Sequence, residues 1–408
     1  MNQLAPPSDY FDPEYYLATN PDVLDGIRDG YFLDGYHHYT LHGRAEGRLA
    51  VPAFDADWYL TTYPMARLDL EQGRAPTAWH HYLRLGKYRG YLPNPHAPRP
   101  NNPSLPRDRF GGLWTDQPDA RDIILGRLSI GALTEATAAA LLHWVEHGYV
   151  IIKNAISFPL LEAARAELDR AYNGEIDGLL FQCLALSNEN IPWQPAINDK
   201  PAKALDLHAK SAITRDLIFA PPIVQFLNLI FEQKPLASQS LGFLRGSGQP
   251  AHQDTAYVVY SHPRRFAASW IALEDVKPGA GELLYYPGSH ALPDYLYGDH
   301  HKSIHEARRT NAAGDNSLRA REESHSHSLV AHANHRNLPE KTLIVTAGDA
   351  LIWHADLVHG DKPIRSADTR RSVVTHYCPA TIAPQAFEAG NSRLEPHDTT
   401  GFFSSVVY

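Results

Sequence analysis

Near residue 240 the chain changes its periodicity, and that change restricts the possible folds more than any other feature of the sequence. Before it, apolar residues recur at helical spacing. The stretch "TEATAAALLHWVEHG" (134–148) opens on a capping threonine and closes on a glycine, "SFPLLEAARAELDRAY" (157–172) is amphipathic, and "FAPPIVQFLNLIF" (219–231) starts with prolines near its first turn. One early run, "YVIIKNA" (149–155), reads as a strand. After residue 240 come short strand-like runs divided by turns: "SLGFLRG", "AYVVY", "RFAASWIALE", "GELLYYPGSH", "TLIVTAGDALIWH" and "RRSVVTHYCP". This order predicts an α+β domain, with flanking helices around an antiparallel double-stranded β-helix of the jelly-roll or cupin-like kind.

The first ninety residues repeat themselves. "FDPEYYLATNPDVLDG" from Phe11 returns as "FDADWYLTTYPMARLD" from Phe54, and "YHHYTLHGRAEGR" from Tyr36 returns as "WHHYLRLGKYRGY" from Trp79. The offset is 43 residues at every matched pair, among them Tyr16 with Tyr59, His38 with His81 and Gly43 with Gly86. A fixed period of aromatics and glycines predicts a duplicated, mainly helical module over residues 1–91. Histidines beside aromatics in such a unit read as packing residues rather than as a metal cluster. The repeat resembles units found in bacterial proteins concerned with surface polysaccharides, and a docking role for protein or glycan is the expectation. Residues 92–107 carry six prolines without apolar periodicity, which predicts a linker over 92–109 and a second domain over 110–408.

A formal net charge of −9 gives no general attraction to nucleic acid or to anionic membrane, and no apolar run is long enough to span a bilayer. The two cysteines, Cys183 and Cys378, are too few for a disulfide framework or a thiolate zinc site. With no basic and apolar leader at the N-terminus, the expected location is the cytoplasm.

Three His-x-Asp tripeptides occur, at His252, His354 and His359. Two histidines and a carboxylate on one face suit mononuclear iron, and residues i and i+2 of an extended segment point to one side. His252 and Asp254 have a distant third partner in His359, which lies 105 residues after Asp254. The His354 pair has few candidates after it, so His354 reads as structural. Arg370 follows His359 by 11 residues and suits the remote carboxylate of a dicarboxylate, which a guanidinium binds bidentately. Together these residues describe a site for Fe(II), 2-oxoglutarate and O2.

At residues 134–385 the chain resembles the phytanoyl-CoA dioxygenase family of Fe(II)/2-oxoglutarate-dependent oxygenases. The matching segments are "GYVIIKNA", "HQDTAYVVY", "ASWIALEDVKPGAGELLYYPGSH", "GDALIWHADLVHG" and "RRSVVTHY". The resemblance implies that His252, Asp254 and His359 are catalytic metal ligands and that Arg370, rather than Arg371, receives the cosubstrate's C5 carboxylate. It implies that Trp270 lines the cosubstrate pocket, with Tyr257 as a nearby aromatic. Gln239 and Lys210 are candidates for the polar contacts that the family takes from the region before His252. Where the family often has Ser or Thr, two residues after the distal histidine, this chain has Asp361. An aspartate at position 254 also separates the chain from related halogenases, which have a small residue there.

The implied reaction is hydroxylation of an aliphatic C–H bond in a small molecule, a lipid-linked compound or a saccharide, with succinate and CO2 as coproducts. A cupin-like metal isomerase and a non-catalytic carbohydrate-binding or scaffold protein are the alternatives. Residues 291–340 form a polar insertion that reads as a lid-like loop; its His300, His301, His305, Arg308, Arg309, Arg319 and Arg321 are balanced by Glu306, Glu322 and Glu323, as on a solvated surface.

Overall fold

The computed structural model describes residues 11, 13–29, 31–51, 53–71, 75–82, 86, 91–95, 97, 110–292, 294–295, 297, 301–305, 317–382, 384, 394–398 and 400–404. Most of the expected linker, together with His300, Glu306, Arg308 and Arg309 of the insertion, lies outside these residues. Contacts divide the chain into two compact units, residues 1–102 with 117–138, and residues 103–116 with 139–408. The stretch 117–138, expected in the second domain, therefore groups with the first. No local pattern in the sequence reveals which core its buried Ile123 and Ile124 join.

In the first unit, helices α1 (Pro13–Thr19), α2 (Pro21–Arg28) and α3 (Gly35–His38) are followed 43 residues later by α4 (Ala56–Thr62), α5 (Pro64–Glu71) and α6 (Ala78–His81); α7 (Ala120–Ser129) packs on α5. Both copies make the same buried contact, Tyr16 Oη to His38 Nδ1 at 2.9 Å and Tyr59 Oη to His81 Nδ1 at 2.8 Å. A Cβ at Gly43 or Gly86 would lie 2.0 or 2.1 Å from those hydroxyl oxygens, so glycine is what admits the tyrosine. The second histidine of each pair, His38 and His81, is thus tied to a tyrosine, and His81 Nε2 also faces Asp69 Oδ2 at 3.2 Å.

In the second unit, α8 (Glu135–His147), α9 (Phe158–Tyr172), α10 (Leu207–Lys210), α11 (Ala212–Ile218) and α12 (Pro221–Phe231) flank the strands, and α13 (Ser317–His335) lies in the insertion. The strands are β1 (Tyr149–Ile152), β2 (Leu180–Gln182), β3 (Ile191–Pro192), β4 (Lys203–Leu205), β5 (Pro235–Phe243), β6 (Ala267–Ala272), β7 (Leu283–Tyr285), β8 (Lys341–Thr342), β9 (Ala350–His354), β10 (His359–Asp361), β11 (Ser372–Pro379), β12 (Leu394–His397) and β13 (Gly401–Ser404). The larger sheet has the order β1-β9-β6-β11-β5-β4-β2-β3, with β13 also on β5 and β12 on β13; the smaller is β10-β7-β8. This two-sheet, mainly antiparallel arrangement is the jelly roll that the sequence predicts.

Every residue of β6, β9 and β11 is buried, which explains their continuous apolar character in place of alternation. One face carries Trp270, Trp353 and His376. The other is covered by helices, as the bond from Tyr377 Oη to the Ile218 carbonyl at 2.7 Å shows. No single helix among the described residues is long and apolar enough to cross a membrane; the bent pair α11 and α12 passes on length and composition together, with its apolar residues largely buried in the unit.

Two local expectations differ from the structure. "AYVVY" is not a strand: Asp254–Ala256 is a 3-10 turn, because Asp254 curls its chain to receive the Tyr257 and Val258 amides on its carbonyl. The insertion is not simply a solvated loop. Lys302, Ser303 and Ile304 are buried, and α13 buries His325, Leu329 and Ala333.

Candidate metal centre

His252 and His359 are brought together by backbone. They form an antiparallel bridge in which His252 N–H donates to the His359 carbonyl at 2.8 Å and His359 N–H returns the bond at 3.0 Å. A Cβ on Gly360 would meet the Ala251 nitrogen at 2.8 Å, so the glycine between His359 and Asp361 permits this close approach. The ring centroids sit 4.3 Å apart.

Each imidazole places its Nδ1 against a carbonyl two residues back, His252 on Pro250 at 2.8 Å and His359 on Leu357 at 2.9 Å. A carbonyl can only accept, so Nδ1 carries the proton and each Nε2 offers a lone pair inward. Asp254 Oδ1 stands 3.7 Å from His252 Nε2 and 3.5 Å from His359 Nε2. The three ligand atoms lie within 4.8 Å of one another and all three residues are buried; among the described residues this is the one such group. Burial pushes the His359 imidazole down to about 4, keeping it neutral and able to ligate. Burial alone would raise the Asp254 carboxyl, but the imidazoles of His359, His376 and His252 that face it hold it well below the usual range. Two neutral nitrogens and a carboxylate oxygen suit a divalent iron, so the donor set fits.

Arg370 is 2% exposed and its Nη1 donates to the Gly281 carbonyl and, at 2.8 Å, to Asp361 Oδ1. Its Cζ lies 5.7 Å from the Trp270 ring centroid. Arg370 Nε and Trp270 Nε1 are buried without a hydrogen-bond partner among the described residues. Buried donors are rarely left so, and these two define a cradle for an anionic group. Trp270 therefore lies beside Arg370, whereas Tyr257 lies next to His252, 5.5 Å between centroids, with Tyr297 and Ile304 of the insertion.

Some residues escape sequence reasoning. Lys210 is exposed and Gln239 pairs with His376 across β5 and β11, while Lys203 is the lysine directed at the site. Lys203 Nζ bonds Gln249 Oε1 at 2.9 Å; burial lowers its pKa, against the pull of Asp361 and Asp254. Nothing in "PAKALD" marks it. Asp361 is the counter-ion of Arg370 and accepts from the Ser247 and Gly248 amides at 2.7 and 3.1 Å. His376, six residues after Arg370, has a legible signal: even spacing along a strand puts both on one face.

The other His-x-Asp pair is structural, as expected. His354 Nε2 meets Asp116 Oδ1 at 3.1 Å, and Asp356 is held by Arg264 Nε at 2.7 Å, Lys302 Nζ at 3.0 Å and Thr255 Oγ1 at 2.7 Å.

A jelly roll carrying two histidines and one carboxylate between its sheets has the donor set that suits a mononuclear, non-haem metal. A family model described as phytanoyl-CoA dioxygenase (PhyH) matches residues 144–372, more than half of the sequence, and the chain belongs to that family of Fe(II)/2-oxoglutarate-dependent oxygenases. It is 21% identical over 253 residues to the peroxisomal phytanoyl-CoA dioxygenase of Bos taurus, covering 58% of this chain and 66% of that one. The Mus musculus protein of the same description is 20% identical over 248 residues, 57% of this chain and 65% of that one. The match thus spans a little under two thirds of these relatives. Similar solved structures include the epimerase SnoN in complex with Fe3+, alpha ketoglutarate and nogalamycin RO, 20% identical, covering 66% of this chain and 98% of that one, TM-score 0.45. Another is EctD from S. alaskensis with 2-oxoglutarate and 5-hydroxyectoine, 17% identical, covering 61% and 77%, TM-score 0.44.

The Asp361 pairing leads to a prediction. Asp361→Asn removes the anion that already engages Arg370. Charged hydrogen bonds contribute about 1.5–3 kcal/mol, so 2-oxoglutarate should bind roughly tenfold tighter by calorimetry in the presence of metal. Unchanged or weaker binding contradicts the competition.

Proposed function

We propose that the chain is an Fe(II)/2-oxoglutarate-dependent dioxygenase that hydroxylates an aliphatic C–H bond of a small molecule, a lipid-linked compound or a saccharide. The observation that carries this is the pairing of the His252–Asp254–His359 donor set with a buried cationic cradle at Arg370. Iron with bound 2-oxoglutarate would supply the oxidising chemistry, with O2 as the oxidant: one of its oxygen atoms goes into succinate as 2-oxoglutarate loses CO2, and the other into the hydroxylated C–H bond.

In this reading His252, Asp254 and His359 hold the metal through Nε2, Oδ1 and Nε2. Arg370 receives the distal carboxylate, oriented by the Gly281 carbonyl and in competition with its counter-ion Asp361, and Lys203 adds a second cation. Trp270 and Trp353 wall the pocket and exclude water. Tyr257, with Tyr297 and Ile304, places the insertion beside His252, which makes residues 291–340 the candidate substrate lid. The repeat module over residues 1–91 is proposed as a docking element for protein or glycan.

The test is an anaerobic titration of metal-free protein with Fe(II) and 2-oxoglutarate, following the visible charge-transfer band. Wild type should give the band. Arg370→Ala should need roughly 100-fold more 2-oxoglutarate to reach it, the equivalent of two charged hydrogen bonds. A folded wild type that binds iron and shows no band would reject this reading in favour of a metal isomerase or a scaffold.

A further inference from the structure

His376 has no role in the preceding account, yet it sits against the metal carboxylate. It is 4% exposed, and neither ring nitrogen has a hydrogen-bond partner among the described residues. Its Nε2 lies 3.5 Å from Asp254 Oδ2. That same oxygen accepts a hydrogen bond from Trp353 Nε1 at 2.8 Å. The two carboxylate oxygens are thus divided: Oδ1 faces the two ligating histidines, and Oδ2 faces an indole and a third imidazole.

The sheet explains how. Trp353 on β9 and His376 on β11 both stand opposite Ala268 on β6, the strand between them. A methyl group at the middle position leaves room for a carboxylate between two large flanking rings. One rung along, Trp270 fills the corresponding place between Leu351 and Val374, and no such gap opens. The notch therefore exists only at the rung where Asp254 enters.

We infer that His376 is a positioning residue which, with Trp353, clamps Oδ2 of Asp254 and so presents Oδ1 alone to the metal. The inference rests on the metal reading of His252, Asp254 and His359. With Nε2–H directed at Oδ2, the clamp stops the carboxylate from turning to offer both oxygens and keeps the remaining coordination positions open. Partners that orient a ligating side chain typically change metal affinity 10–100-fold when removed, and this one should fall in that range.

The probe is cobalt(II) chloride, titrated into metal-free full-length protein without 2-oxoglutarate, with affinity and d–d absorption as readouts and circular dichroism as the check on folding. His376→Leu should bind cobalt roughly 10–100-fold more weakly with an altered d–d envelope, and His376→Gln, which retains an N–H donor, should recover most of both. If the leucine variant does not fold, Trp353→Phe, which removes the indole donor to the same oxygen, should weaken cobalt binding and alter the d–d envelope in the same direction, and wild-type behaviour in folded Trp353→Phe would overturn the clamp. Wild-type affinity and spectrum in folded His376→Leu would overturn the clamp while leaving the metal site intact. A wild type that takes up no cobalt would overturn the metal reading and the clamp with it.

Discussion

Asp254→Ala is expected to abolish the charge-transfer band and to cost more metal affinity than the roughly 10–100-fold typical of an outer partner. Asp254 supplies the only anion of the triad, and the two imidazoles that remain are neutral. Without the carboxylate nothing in the triad offsets the charge of a divalent ion in a buried site. The apo protein should still fold, because the bridge between His252 and His359 is made by backbone and does not involve the Asp254 side chain. Anaerobic iron titration with circular dichroism separates the two effects; a variant that keeps the band would place the metal elsewhere.

Asp356→Ala is expected to be the most destabilising single change in the second unit. Asp356, Arg264 and Lys302 are each 2% exposed or less, and the carboxylate touches both cations. Removing it takes the ion-pair partner from buried Arg264 and leaves Lys302 with Asp294 alone, a loss of roughly 3–5 kcal/mol. For a unit of this size that is on the order of 10 °C in unfolding temperature. Lys302→Met should cost less, since Asp356 keeps Arg264 and Thr255. Burial by itself would raise the Asp356 carboxyl, but Lys302 and Arg264 draw it far below its ordinary value of 3.8. A depressed carboxyl stabilises the fold above the unfolded value and ceases to do so as pH falls through the folded one. The wild-type advantage over Asp356→Ala, measured by chemical denaturation, should therefore be constant near neutrality and shrink below about pH 4. An advantage that grows on acidification would refute the ion-pair account.

The metal ligands were legible because iron chemistry restricts both residue type and local spacing. His252 and Asp254 need only an extended dipeptide step, and His359 needs only enough chain to reach back. Arg370 was legible through the family resemblance, as the arginine 11 residues after His359; in the structure His359 opens β10 and Arg370 lies just before β11. The repeat, too, is visible in the sequence, since the 43-residue offset conserves Tyr16, His38 and Gly43 as a contact and not only as a pattern.

Other features depended on which strands lie side by side. The strand alternation that places His376 with Arg370 is local, but its meeting with Asp254 requires β6 between β9 and β11 and an alanine at one rung. Lys203 comes from a three-residue strand whose partner fixes its direction. Asp361 looked out of place beside an anionic cosubstrate until its carboxylate was seen on Arg370. The reading of 291–340 as a solvated loop failed because charge balance along the chain does not reveal that Lys302 finds its anion at Asp356, 54 positions on. By itself the sequence determined the residue types, the periodicities and a candidate metal triad, consequences of local geometry and ligand chemistry. The tertiary structure alone decided which buried charges pair and which side chains orient the ligands, because those contacts are set by sheet order and register, to which distant segments contribute jointly.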